Sequence, residues 1–409
     1  MDPARLTPMP TSPISRRGLF GYAGAAGVGG AAGIVGGRAW GLSDAPTPEP
    51  PNRVLGQDYS PYGAQQAGIF TPQSQVAELV AFDLLPATDA SALGRLMRVW
   101  TGDIAALMSG RPAAGDFAPE LAQANVSLTA LVGFGPGVFE LEGLGPSLPA
   151  GFQEIPAMTH DRLEDRWNGG DLLIWVTADD ATSVSHAVRR LVSDARPFAS
   201  RRWTQRGFWR PTDASGAAVT GRNLFGQVDG SANPKGDVLE ETVLSTDGWL
   251  AGGTQLVVRR IEMNLDTWDE ATRDRQEASM GRRLSDGAPL TGESEGDDLD
   301  LAATADGSTV IALDAHARLA HPSQNRERRM LRRGLNYTHE TVVDGAPVDT
   351  SGLIFCAFQA NIADQFIPVQ RSLDQADALN EWTTAIGSAV FVIPPGFSEG
   401  GYVGETLLG

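Results

Sequence analysis

The sequence predicts a duplicated α+β fold, in which strands and helices alternate through two similar halves. The chain has 409 residues, enough for two ordinary hydrophobic cores. Hydrophobic residues make up 42% of it and charged residues 20%, as in globular rather than disordered proteins. Short apolar runs typical of buried strands alternate with segments in which apolar residues recur at three- and four-residue steps, and this order occurs twice.

The first half contains three candidate strands and two candidate helices. The strands are Val76–Leu85, Leu128–Phe134 and Asp171–Thr177, and the helices are Ala90–Ser109 and Ala181–Val192. The second half repeats this order more loosely, with strands at Thr254–Met263, Ser351–Phe358 and Ala389–Ile393 and helices at Leu265–Met280 and Leu373–Ile386. Between them, residues 282–306 are acidic and glycine-rich, which predicts a surface loop.

The N-terminus predicts export. Ser15-Arg16-Arg17-Gly18-Leu19-Phe20 has the twin-arginine pattern, and a glycine- and alanine-rich run follows that is too weakly apolar to span a membrane. We assign residues 1–45 to a signal peptide and residues 46–65 to a proline-rich linker. The twin-arginine machinery carries folded proteins to the periplasm or the exterior. No later run reaches about 18 apolar residues, so no stable membrane anchor is predicted.

Charge and cysteine content exclude other classes. The formal net charge is −18, and so acidic a surface repels nucleic acids and anionic membranes. Cys356 is the single cysteine, so the chain has no internal disulfide and no Cys-x-x-Cys-His motif for covalent haem attachment. It lies in an apolar run, which indicates a packed, inert thiol.

Three features carry chemistry: the segment Gly226-Gln-Val-Asp229-Gly230, His316, and the pair Arg332–Arg333. They offer a carboxylate for proton transfer, an imidazole for a metal, and a cation for developing negative charge. Peroxide cleavage on a haem iron requires such a set. Taken singly, each has an ordinary interpretation: a turn-forming Asp, a surface or core histidine, and a solvated charge pair.

Several motifs occur together in a fixed order along the chain. They are Gly-Gln-Val-Asp-Gly-Ser-Ala-Asn-Pro (226–234), Gly-Thr-Gln-Leu-Val-Val-Arg-Arg-Ile (253–261), Gly-Arg (281–282) with Gly-Ala-Pro-Leu (287–290), Asp-Ala-His-Ala-Arg-Leu-Ala (314–320), and Leu-Arg-Arg-Gly-Leu-Asn-Tyr (331–337). Further matches lie at 66–69, 133–137, 366–371 and 391–396. This order resembles the dye-decolourising peroxidases over residues 66–396, and the signal resembles that of their exported subgroup.

The resemblance implies a tandem ferredoxin-like fold with antiparallel β-sheets flanked by helices. It implies an N-terminal domain over 66–225 and a haem-binding domain over 226–409, with the pocket mainly in the C-terminal half. One non-covalent haem b is expected. The implied activity uses hydrogen peroxide to oxidise bulky dyes and phenolic-type reductants by one-electron steps, and a homo-oligomer is compatible with it.

The resemblance also implies residue roles. His316 would be the proximal iron ligand, Asp229 the distal acid/base, and Arg332, rather than Arg333, the distal arginine. The implied haem contacts are Gly230, Ser231, Ala232, Arg282, His316, His321, Pro322, Ser323 and Arg332. Arg282 would pair with a propionate, and Arg259 or Arg260 is a weaker candidate for that role.

Two positions depart from the family pattern. His321 replaces the usual asparagine before Pro322 and creates a rival histidine. Asn361 stands where an acid is often found. If that position supports the proximal imidazole, a neutral amide would donate less electron density and the redox potential would rise.

Other functions stay open at this point. Some exported relatives are linked to iron release from haem, so a deferrochelatase-like role is the alternative within the family. A non-enzymatic haem-binding protein would need His316 but neither Asp229 nor Arg332. A chlorite-dismutase-like enzyme would share the fold without needing the distal Asp.

Overall fold

The structure is a computed structural model that describes residues 56–409, apart from 124, 145–146 and 344–345. The predicted signal peptide (1–45) and residues 46–55 of the predicted linker lie outside the described residues. No helix within the described ranges is long and apolar enough to cross a membrane.

The described strands are β1 (Val76–Leu84), β2 (Thr129–Phe134), β3 (Leu172–Ala178), β4 (Ala199–Phe208), β5 (Thr254–Met263), β6 (Thr304–Ala305), β7 (Ser308–Thr309), β8 (Leu331–Arg332), β9 (Leu335–Val343), β10 (Ala346–Gln359) and β11 (Thr383–Ile393). The helices are α1 (Ala90–Met108), α2 (Ala181–Ala195), α3 (Asp237–Val243), α4 (Leu265–Glu270), α5 (Arg273–Met280), α6 (His316–Leu319), α7 (Ile367–Ala376) and α8 (Glu405–Leu408).

Each half of the chain follows the same βαββαβ plan. In the first half, β1, α1, β2, β3, α2 and β4 give the sheet order β2-β3-β1-β4. In the second half, β5, the pair α4 and α5, β9, β10, α7 and β11 give the order β9-β10-β5-β11. All pairings between these strands are antiparallel. The predicted tandem ferredoxin-like fold is confirmed.

The two half-sheets join into a closed, barrel-like sheet. One seam pairs Phe208 of β4 with Asn336 of β9, and the other pairs Val392 of β11 with Phe134 of β2. Strand β5 pairs with both β10 and β11, so the ring of strands has no break. A single apolar cluster draws on the strands of both halves, including Leu79, Trp175, Leu256, Phe358 and Phe391.

Helices α1 and α2 cover the first half-sheet. Asp89 caps α1 by accepting a hydrogen bond from the N–H of Ala92 at 2.7 Å, and Asp180 caps α2 through Ser183 at 2.7 Å. The indole N–H of Trp100 in α1 donates to the carbonyl of Leu191 in α2 at 2.9 Å. Their apolar faces pack on the sheet in a second apolar cluster.

Two predicted helices differ from the structure. Leu265–Met280 is two helices, because Thr272 caps a new start by accepting from the N–H of Arg275. The helix predicted over Leu373–Ile386 is wrong: α7 ends at Ala376, a 3-10 turn spans Ala378–Glu381, and β11 begins at Thr383. Asp377 ends the helix because its backbone is extended there.

The remaining predicted strands and helices are confirmed, although β10 and β11 start several residues earlier than expected. Strands β4 and β9 were missed. In β4, buried Trp203, Gln205 and Gly207 alternate with more exposed polar residues, so no continuous apolar run marks the strand.

Candidate active site

His316 begins helix α6, and a carboxylate holds its ring. Its Nδ1 lies 2.6 Å from Oδ2 of Asp377. The side chain of Asp377 is 5% exposed, whereas that of His316 is 24% exposed. Burial by itself lowers the pKa of His316, but the charge and hydrogen bond of Asp377 outweigh burial and raise the pKa. With Nδ1–H donated to Asp377, Nε2 has no hydrogen-bond partner among the described residues and can serve as a ligand.

Asp377 is itself fixed by the turn around it. Its Oδ1 accepts a hydrogen bond from the N–H of Leu379 at 2.9 Å, while Oδ2 faces His316. The N–H of Ala378 donates to the carbonyl of Asp314 at 3.0 Å, which ties this turn to the segment before His316. Each carboxylate oxygen therefore has a defined partner, and the orientation of the imidazole follows from a rigid support.

The suggestion that Asn361 supports the imidazole is wrong. Its Oδ1 accepts from the N–H of Asp364 at 2.9 Å and caps the π-helical turn Ile362–Phe366. The ring of His316 is bonded to an acid elsewhere, Asp377. Because the partner of His316 is an acid and not the amide of Asn361, the expected rise in the redox potential of the haem no longer follows.

Asp229 lies in a tight loop that follows the bridge between Arg222 and Val228. Its N–H donates to the carbonyl of Gly221 at 2.9 Å, and Nδ2 of Asn223 reaches its Oδ2 at 3.5 Å. The chain turns immediately afterwards at Gly230, whose φ of +127° favours glycine. The carboxylate is thus oriented by its own loop and keeps 19% of its side-chain surface exposed.

Arg332 and Arg333 point in different directions from the end of β8. Nη1 of Arg332 lies 3.8 Å from Oδ1 of Asp229. Arg333 is buried and donates to the carbonyls of Ile69 and Thr71. Burial lowers the pKa of Arg333 to about 10. The structure therefore brings Arg332, and not Arg333, to Asp229.

His316, Asp229 and Arg332 come from separate segments but influence one another electrostatically. After the larger effects of burial and Asp377, the charge of Arg332 lowers the pKa of His316 and that of Asp229 raises it. Burial lowers the pKa of Arg282, and the charge of Arg332 lowers it further. These four side chains are therefore close enough for the charge of one to shift the pKa of another.

Arg282 suits an anionic group. It is 7% exposed, and its Nη1 donates to the carbonyls of Gly287 at 2.8 Å and Glu295 at 3.0 Å. Its Nε and Nη2 make no hydrogen bond to any other described residue, which leaves two donor nitrogens for a carboxylate such as a haem propionate. The weaker candidates are engaged elsewhere: Arg259 pairs with Asp161, and Arg260 stacks between two aromatic rings.

His321 has partners on both ring nitrogens. Nδ1 lies 2.8 Å from Oγ of Ser323, and Nε2 lies 2.9 Å from Oδ1 of Asp298. The second contact ties the acidic loop to the turn at Pro322. His321 therefore has no nitrogen left for a metal in this arrangement. Of the other predicted haem contacts, Gly230, Ser231 and Pro322 are half-buried, and Ala232 and Ser323 are exposed.

The donor set fits a haem iron. Within the described ranges, no group of three or more His, Cys, Asp or Glu side chains could hold a metal ion, but a haem iron needs only one protein ligand. The Nε2 of His316 is available for that bond. The buried Oγ of Ser231, which lacks a partner in the described part of the chain, is a further polar atom for a bound group to satisfy. Burial raises the pKa of the Cys356 thiol, which disfavours a thiolate ligand.

Sequence reasoning missed two side chains of the site, Asp377 and Asn233. Asn233 bonds both backbone groups of Arg332. Asn233 closes the motif at 226–234, but the pattern Asn-Pro is common in ordinary turns and gave it no role. Asp377 has no signal beyond an acid two residues before Leu379, which is equally common.

Two models of one family match most of the chain. The model described as Dyp-type peroxidase, N-terminal, matches residues 66–209, and the model described as Dyp-type peroxidase, C-terminal, matches residues 220–398. The matched ranges include every residue of the candidate site.

Individual proteins of the same family are similar to this chain over most of its length. The chain is 36% identical to the dye-decolorizing peroxidase of Thermobifida fusca, covering 89% of this chain and 88% of that one. It is 34% identical to the deferrochelatase of Escherichia coli K12, covering 85% and 86%. The crystal structure of a DyP-type peroxidase from Cellulomonas bogoriensis superposes with a TM-score of 0.82 at 47% identity, over 87% of this chain and 99% of that one.

Proposed function

Because this chain belongs to the Dyp-type peroxidase family, we propose that His316, Asp229 and Arg332 form its haem active site. The protein is a haem-dependent peroxidase that acts on hydrogen peroxide, and haem b is its cofactor. The residue assignment rests on two contacts: Arg332 lies 3.8 Å from Asp229, and Asp377 supports the imidazole of His316 at 2.6 Å. The charges of Asp229 and Arg332 also act on His316.

The contacts of each residue indicate how it would help to bind the haem. Nε2 of His316 would bind the iron. Asp377 would accept a hydrogen bond from Nδ1–H of His316 and so increase the electron donation of the imidazole. Two donor nitrogens of Arg282 would meet a propionate. The remaining expected contacts are Gly230, Ser231, Ala232, His321, Pro322 and Ser323. When bound, the haem supplies the site where peroxide binds and the oxidising power used on the reductant.

Asp229 and Arg332 would handle protons and charge on the peroxide. Asp229 accepts the proton from one peroxide oxygen and returns it to the other, which leaves as water. Arg332 stabilises the negative charge that grows as the oxygen–oxygen bond breaks. A carboxylate can act as a base under mildly acidic conditions in which a histidine would be protonated. An acidic pH optimum is therefore expected.

The proposed reductants are bulky dyes and phenolic-type compounds, oxidised by one-electron steps. A deferrochelatase-like release of iron from haem is the second candidate, because the chain also matches a deferrochelatase over most of its length. A haem-binding protein without catalysis is disfavoured by the pairing of Asp229 with Arg332.

One experiment separates these functions. The haem-loaded protein is incubated with hydrogen peroxide and an anthraquinone dye, and separately with excess haem under anaerobic conditions. The proposal expects loss of dye colour that depends on peroxide and Asp229, and no free protoporphyrin. Iron-free protoporphyrin fluorescence without dye oxidation would instead establish the second candidate.

We also propose export by the twin-arginine route, on the pattern at Ser15–Phe20 in the segment outside the described residues. The proposed division of the mature chain is 66–225 and 226–409, and a homo-oligomer stays a prediction.

A further inference from the structure

Asn233 makes an unusual set of contacts with Arg332. Its Oδ1 accepts the backbone N–H of Arg332 at 3.1 Å, and its Nδ2 donates to the backbone carbonyl of the same residue at 2.9 Å. The same Oδ1 also lies 3.4 Å from Nε of the arginine side chain. One amide therefore contacts both the main chain and the side chain of the distal arginine.

The location of Arg332 explains why such support is needed. It lies on the two-residue strand β8, which pairs with Ala357 and Phe358 of β10 on one side only. Asn233 satisfies the other side of Arg332 in the way that a neighbouring strand would. Without it, the backbone of Arg332 would have one fixed edge and one unpaired edge.

Asn233 also belongs to the loop that carries Asp229. Its own N–H donates to the carbonyl of Gly230 at 2.9 Å, which closes the turn immediately after Asp229. The positions of Asp229 and Arg332 are thus set by one short loop. Their side chains nevertheless stay 3.8 Å apart, beyond the roughly 2.7–2.9 Å of a charge-assisted hydrogen bond.

We propose that Asn233 is a positioning residue that holds Arg332 away from a close, bidentate ion pair with Asp229. It does so by fixing the arginine backbone and by engaging Nε, one of the nitrogens that a bidentate contact would use. The separation leaves the carboxylate able to take a proton and the guanidinium able to face the peroxide. This inference rests on the proposed roles of Asp229 and Arg332.

The charged groups that act on Arg332 and its neighbours are Asp229, Arg282 and His316. Without the contacts of Asn233, the side chain of Arg332 can move closer to Asp229, the carboxylate with which it already pairs. A closer cation favours the charged form of a carboxylate, so the acid limb of the peroxide reaction should move to lower pH by about one unit. The reaction itself should slow by about 10- to 100-fold, because the carboxylate becomes a weaker base and the guanidinium is occupied.

The test compares Asn233→Leu with Asn125→Leu, a matched change at an exposed asparagine whose side chain bonds Asp58. The crystal structure of each haem-bound variant gives the distance from Arg332 to Asp229, and stopped-flow measurements give the pH profile of the peroxide reaction per bound haem. We expect the distance to fall to about 2.8 Å and the profile to shift only in Asn233→Leu. If Asn233→Leu does not bind haem, Asn233→Ser, which is too short to reach both backbone groups, replaces it.

A double variant separates this inference from the proposed function. In an Arg332→Leu background, Asn233→Leu should cause no further shift of the profile, since the side chain that it positions is gone. An unchanged distance and profile in Asn233→Leu, with Arg332→Leu still slow, would overturn the role of Asn233 alone. A normal rate in Arg332→Leu would instead overturn the proposed active site.

Discussion

The Nδ1 atom of His316 lies 2.6 Å from Oδ2 of Asp377, at a turn where α7 ends and a 3-10 turn begins. This contact gives the imidazole an anionic partner that is almost fully buried. It fixes which nitrogen carries the proton and which is available to iron. The electron-donating strength of His316 therefore depends on a residue outside the sequence motifs that carry the family resemblance.

The first prediction concerns Asp377. Asp377→Asn should retain the fold, because an amide can still accept from the N–H of Leu379. It should raise the reduction potential of the bound haem and slow the reaction with peroxide by about 10- to 100-fold, because the neutral partner donates less. Spectroelectrochemistry and stopped-flow absorbance measure these effects. Asn361→Ala is the control, and a potential that rises in the control as much as in Asp377→Asn would contradict the assignment.

The second prediction compares the two adjacent arginines. Arg332→Leu should slow the peroxide reaction by about 100-fold or more at unchanged haem content, because the growing negative charge loses its cation. Arg333→Leu should leave the rate per haem unchanged. It should lower the free energy of unfolding by about 1–3 kcal/mol, because the carbonyls of Ile69 and Thr71 lose their donor.

Stopped-flow rates and denaturant unfolding of both variants provide the check. Equal rates in the two variants, or a slow reaction in Arg333→Leu, would contradict the assignment of Arg332 as the distal arginine.

The third prediction concerns Asp229. Asp229→Asn keeps the size of the side chain and its contact with Asn223, but it removes the base. The peroxide reaction should slow by about 100- to 10,000-fold and lose its acid limb, while haem binding stays intact. Glu241→Gln, a change at an exposed acid of α3, is the matched control. A pH profile of Asp229→Asn that superposes on the wild-type profile would show that another group transfers the proton.

The fourth prediction is a pH-dependent stability far from the site. Asp103 and Asp194 both contact Arg190, at 2.7 Å each, and Oδ2 of Asp194 is buried without a partner in the described ranges. Burial, together with the hydrogen bond and charge of Asp103, raises the pKa of Asp194 to about 7. The folded protein therefore holds a proton that the unfolded chain has already lost above about pH 4.

The contribution of Asp194 to the free energy of unfolding is therefore greatest below about pH 4. It is lost as the pH rises through 7, by at most about 1.4 kcal/mol per pH unit. Asp194→Asn, which carries a neutral group at every pH, should be more stable than wild type at pH 8 and similar to it at pH 4.5. Urea unfolding at both pH values measures the difference. If the difference in the free energy of unfolding between Asp194→Asn and wild type does not depend on pH, then Asp194 does not hold a proton in the folded state.

The sequence predicted the parts of the fold that carry a periodic apolar signal. The predicted bounds of β5 match the structure residue for residue, because a short apolar run at Leu256–Val258 is followed by Ile261 and Met263. Strand β4 was missed because polar side chains interrupt its apolar residues, and β11 was partly read as helix because apolar spacing continued across the break at Asp377. Helix ends set by a single capping side chain are weak signals in a sequence.

The candidate site likewise has residues that could be predicted from the sequence and residues that could not. Asp229, His316 and Arg332 were found because their motifs occur in a recognisable order. Asp377 and Asn233 were missed because their importance lies in a three-dimensional contact with a residue distant in the chain. Asn361 departs from the expected family pattern, but in the structure it caps a helical turn and does not contact the imidazole.

The proposed active site depends most on His316 as the iron ligand. The most direct measurement is the visible spectrum and haem content of purified wild type, His316→Ala and His321→Ala, before and after one equivalent of hydrogen peroxide. We predict about one haem per chain in wild type and His321→Ala, with a Soret band that shifts on addition of peroxide, and loss of that haem or of its shift in His316→Ala. A His316→Ala protein with the wild-type spectrum and the wild-type response to peroxide would contradict the account.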